Sequence, residues 1–149
     1  MIIAALLFYV PFWFLFSALA GKHEAKMFFK NPNKSVEFQK KWKVDIHLWF
    51  TLIRCLPGGL ICFGLGYEYG LASSILMGLF LITSFPWFHD NNYYEVYKTI
   101  SAGKVYPDGK YSQSTTTSAK NSFSYKERKR LLIGSFVYIA IIITLYFIK

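Results

Sequence analysis

Apolar residues along this chain gather in four long blocks, at 2–20, 46–66, 70–88 and 131–148, and charged residues fill the segments between them. Each block is close to the ~20 residues that an α-helix needs to cross ~30 Å of hydrocarbon. Lipid offers no hydrogen-bond partners to the backbone, so a single crossing segment satisfies its own N–H and C=O groups only as a helix. The pattern predicts an all-α integral membrane protein with four transmembrane helices.

The blocks differ in their punctuation. Pro11 sits inside the first and is expected to kink it. Ala18-Leu19-Ala20 imitates a signal-peptidase site, but no basic residue precedes the apolar run and bulky aromatics fill it, so the segment is expected to remain as a span. The second block ends in Gly64 to Gly70, a loop of only a few residues before the third, which predicts an antiparallel helical hairpin. Gly66, Gly70, Ser74 and Gly78 recur every four residues, a spacing that lets two backbones approach closely in lipid. The second helix is the expected neighbour of that stripe, with a second copy of the chain as the alternative. Pro86 is expected to end the third helix, with Trp87, Phe88, Tyr93 and Tyr94 as an interfacial aromatic belt.

Between the third and fourth blocks, residues 95–100 are expected to form a short surface helix. Val105 to Tyr111 contains Pro107-Asp108-Gly109 and reads as a short β-hairpin in a cytoplasmic loop. Asn31-Pro32-Asn33 marks a turn in the earlier loop, after Met27, Phe28 and Phe29 at the headgroup level.

Charge sets the expected orientation. Seven lysines lie between Lys22 and Lys43 and eight basic residues between Lys98 and Arg130, together 15 of the 17 in the chain. Both clusters fall on the same side of a four-span chain, which predicts cytoplasmic segments at 21–43 and 89–130 and both termini outside. A net charge of +9 would otherwise suggest nucleic acid. Because the clusters abut apolar spans, anionic lipid headgroups are the better partner and nucleic acid is not expected. A hydrophobic share of 54%, confined to the blocks, leaves no room for a soluble core, so the chain reads as one polytopic membrane domain. The excess of lysine over arginine, 14 to 3, suggests an AT-rich genome and hence a bacterial inner membrane or a viral membrane, phage included.

Candidate chemistry is sparse. Cys55 and Cys62 lie seven residues apart on one predicted helix, about 10 Å along its axis, too far for a disulfide. The three histidines fall at one membrane level, each beside an acid: His23 next to Glu24, His47 two after Asp45, and His89 next to Asp90. His23, His47 and His89 with Asp45 and Asp90 form a candidate metal set, imidazole and carboxylate being zinc or iron ligands, although none has the i,i+4 spacing of a helical site. No phosphate loop, nucleophile elbow or CxxC pair is present, and no cofactor is expected.

Arg54 is the one charged residue well inside a span, roughly 12 Å from its charged edge, three residues before Pro57-Gly58-Gly59. The rest of the bundle is expected to converge on it. Its expected partners are carbonyls freed by Pro57, that of Ile53 first, or an acid from another chain. The sequence thus points to a non-enzymatic subunit or scaffold of a larger membrane assembly, with a protein partner or a homo-oligomer. A membrane enzyme with an interfacial His/acid site acting on lipid, and a holin-like oligomeric pore, are the alternatives.

Overall fold

The computed structural model describes residues 1–27, 40–41, 46–100 and 123–148, with backbone alone at 46–48 and 97–100. Four long helices carry the fold: α1 (Ile2–Ala25), α2 (Ile46–Tyr69), α3 (Leu71–Ile100) and α4 (Tyr125–Ile148). Each holds a stretch long and apolar enough to cross a membrane, so the chain is a multi-pass membrane protein. The described residues are helical and contain no strand. The expected hairpin at 105–111 and turn at 31–33 lie outside the described residues.

Helix ends depart from the apolar blocks, and the departures matter. α1 continues through Gly21 to Ala25, with Lys22 and His23 in its last turn, where cations suit the negative end of the helix dipole. The expected break at Pro86 does not occur: α3 runs through it and takes in residues 95–100, which are no separate helix. A proline forfeits one backbone bond and crowds the preceding turn, a cost that neighbouring helices on either side of α3 can hold. Pro11 and Pro57 likewise lie inside α1 and α2. α4 begins six residues before its apolar block. Ser124 Oγ accepts from the Glu127 N–H at 3.3 Å, and the Ser124 N–H donates to Glu127 Oε2 at 2.7 Å, a reciprocal cap.

Gly70 alone joins α2 to α3. Its φ of 89° lies in the left-handed region, which a Cβ would oppose. Its N–H donates to the Gly66 carbonyl at 3.0 Å, while its own carbonyl accepts from the Ser73 and Ser74 N–H groups. One residue therefore reverses the chain.

The bundle is centred on α3, not on the second block as the sequence implied. α3 packs against all three other helices, whereas α1 meets α2 and α4 only weakly. Its buried side chains include the small Ser73 and Ser84 as well as Met77, Phe80 and Leu81, and small residues let neighbouring helices approach. Ile2, Leu6 and Trp13 of α1, Ile61 and Leu65 of α2, and Ile142 of α4 join Met77, Phe80 and Leu81 in the core. Trp13 Nε1 donates to the Leu81 carbonyl at 3.2 Å and ties α1 to α3. The outer surface is equally apolar: Phe63 is 73% and Leu7 71% exposed. In water such side chains would each forgo about 1.5–3 kcal/mol of burial, whereas lipid covers them.

Candidate functional site at the charged end of the bundle

Antiparallel order brings the C-termini of α1 and α3 and the N-termini of α2 and α4 to one end. α1 and α3 run the same way: Trp13 bonds Leu81, and eight residues further along each helix Gly21 lies against His89. A Cβ built on Gly21 would fall 2.2 Å from the His89 carbonyl oxygen, so only glycine permits this approach. The same face of α1 buries Trp13, Ser17, Gly21 and Glu24 in turn.

Side-chain direction then assembles the site. The Cα–Cβ bond tilts toward a helix's own N-terminus, so Glu24 and His89 lean into the bundle while Arg54, on the oppositely directed α2, leans out toward them. Arg54 Nη2 donates to Glu24 Oε2, and the same oxygen faces His89 Nε2 at 2.9 Å. The other ring nitrogen, His89 Nδ1, faces Asp90 Oδ1 at 2.8 Å. Ionised carboxylates only accept, so with both acids ionised the ring donates from both nitrogens and is an imidazolium. Arg54 and His89 then balance Glu24 and Asp90, and the quartet is neutral. That balance suits a site where Glu24 and His89 are buried.

Aromatic rings wall the quartet. Phe85 stacks on His89 with centroids 4.5 Å apart, and the Arg54 guanidinium carbon lies 5.4 Å from the Phe85 centroid, a cation–π distance. Trp13 packs on the same Phe85 at 5.9 Å.

Within the chain, Arg54 therefore pairs with an acid of α1 and not with a carbonyl near Pro57. That acid is Glu24, which the sequence reading set in a cytoplasmic segment because α1 was ended five residues too early. Two features sequence reasoning passed over mark the place: Ser17 and Gly21 form a small-residue pair four apart, and Glu24 follows on the same face. Arg128 was counted among the basic residues of the cytoplasmic segment 89–130. It is fully buried, its guanidinium 5.3 Å from the Tyr94 ring centroid.

The histidines divide. His89 and Asp90 come together, whereas His23 is exposed and packs edge-on against Phe50 at 6.0 Å. The side chains of Asp45 and His47 lie outside the described residues. Among the described residues, no group of three or more His, Cys, Asp or Glu is placed to hold a metal ion. Of the small-residue stripe, Gly66 faces Ser74, whose Cβ would be 3.0 Å from an added Cβ, and Gly78 faces Cys62 Sγ at 3.7 Å. Both contacts join α2 to α3 within one chain. Cys55 and Cys62 are free thiols.

Two apolar crevices flank α2 and meet at Arg54. One, of about 320 Å³, lies against α1, lined by Phe16, Leu19, Ala20, His23, Trp49 and Ile53 among others. The second, of about 360 Å³, lies toward α3, with Cys55, Gly58, Cys62, Gly78 and Phe85 in its walls. In comparisons with family models, curated proteins and solved structures, nothing matches the chain.

Proposed function

We propose that this protein is a non-enzymatic multi-pass membrane protein serving as a subunit or scaffold of a larger membrane assembly. Both termini lie outside and the basic segments lie in the cytoplasm, in a bacterial inner membrane or a viral membrane. One observation carries the reading: the charged quartet closes on itself. Both His89 ring nitrogens face carboxylates, and Arg54 and Glu24 engage each other, so the quartet acts as a clasp between α1, α2 and α3. A general base needs an accessible lone pair within reach of substrate, and His89 offers neither nitrogen. A pore lined by Arg54 loses its motive for the same reason, the guanidinium being engaged by Glu24.

The clasp leaves apolar surface in want of neighbours. α4 has the smallest buried share of the four spans, and α2 the next smallest. Such faces suit lipid or the helices of another membrane protein.

Purification in mild detergent, with mass by light scattering and metal by elemental analysis, tests the proposal. The expected result is a particle larger than the 17.3 kDa protomer, or one co-purifying protein in fixed ratio, without stoichiometric metal. A lone protomer contradicts the subunit reading. Stoichiometric metal favours the membrane enzyme.

A further inference from the structure

The crevice between α1 and α2 has the chemistry of a phospholipid site, and we propose that it holds one acyl chain of an anionic phospholipid, with the phosphate at its charged mouth. This does not depend on the subunit reading. The floor is apolar, made by Phe16, Leu19, Ala20, Phe50 and Ile53, and Leu19, Trp49 and Ile53 are exposed, so the crevice opens on the lipid-facing surface. The mouth is basic, with its net positive charge on two lysines. His23 and Arg54 line it, the Arg54 side chain retaining 22% of its exposure. Lys22 and Lys26, both exposed, follow Leu19 and His23 by three residues each and so adjoin them on α1. Of the two acids of the quartet, Glu24 is turned inward to Arg54 and His89, and Asp90 lies on α3 against His89.

Charge and lining select the occupant. The crevice holds about 320 Å³ between apolar walls, which suits an extended hydrocarbon chain beneath a basic rim. A phosphate at the mouth supplies acceptors to the guanidinium, which has N–H groups beyond the one given to Glu24. Each lysine near an anionic headgroup adds binding worth about fivefold in affinity.

Native mass spectrometry of the full-length protein, titrated with phosphatidylglycerol or phosphatidylcholine at equal concentration, provides the test. The expected result is one retained phosphatidylglycerol per chain, held at least fivefold more tightly than phosphatidylcholine. Lys22→Gln with Lys26→Gln should erase most of that preference. Ala20→Trp, which fills the crevice without touching the quartet, should reduce retention at least fivefold. Ile53→Trp, on the opposite wall, should do the same and serves if Ala20→Trp unfolds. Equal retention of the two lipids, unchanged retention in a folded tryptophan variant, or a second copy of the chain crosslinking at Ile53 in place of lipid would overturn the proposal.

Discussion

Arg54 of α2 and Glu24 of α1 stand thirty residues apart in the chain and form one ion pair at the charged end of the bundle. α1 and α2 otherwise touch weakly, so this pair is the main polar tie between them. His89 extends the tie to α3 by facing the same Glu24 oxygen. A charge at this depth facing lipid would cost on the order of 2.5–3.5 kcal/mol on insertion scales. Pairing within the chain removes that cost and fixes how α2 docks.

Gly21 sets how closely α1 approaches α3. Gly21→Ala should lower thermal stability by at least about 1–3 kcal/mol, because the new methyl falls on the His89 backbone and two helices must separate. Gly59 is the control. No atom lies within 4 Å of a Cβ there, so Gly59→Ala should be neutral or gain about 0.5–1 kcal/mol from reduced chain entropy. Equal effects at the two sites would show that the α1–α3 approach is loose.

Ser74 bears on Gly66 across the α2–α3 hairpin. Ser74→Leu should destabilise by about 1–3 kcal/mol while leaving oligomeric mass unchanged, since the contact lies within one chain. A variant that keeps its stability but changes mass would move the stripe to an interface between copies.

Topology can be read by thiol labelling in a background with Cys55→Ser and Cys62→Ser. A cysteine replacing Glu68, exposed near the far end of α2, should react with an impermeant reagent in intact cells. One replacing Ser114 should stay protected until the membrane is opened. The reverse pattern would invert the orientation.

The four spans were legible because lipid imposes one requirement on each: a continuous apolar run of helical length. Helix ends were not, because hydrogen bonding and packing, unlike hydropathy, do not stop at the lipid boundary. α1 gained the turn that contains Glu24, and α3 passed through Pro86 to present His89 and Asp90 on a continuous helix. Arg54 was recognisable as a residue needing a partner, yet its partner lay on a segment read as loop. The centring on α3 depends on which faces pack together, and near-uniform apolarity hides those faces: in α1, buried Leu6 and exposed Leu7 are the same residue type.

The clasp is tested most directly by a double-mutant cycle on Glu24 and Arg54. Glu24→Gln removes the acid that Arg54 and His89 share and should cost about 3–5 kcal/mol in unfolding from detergent micelles, whereas Arg54→Met leaves Glu24 with His89 and should cost no more than that. The double variant removes both charges and should cost clearly less than the sum, with a coupling of about 0.5–3 kcal/mol. Strictly additive losses, or single variants as stable as the parent, would mean that Arg54 and Glu24 do not meet and would contradict the account.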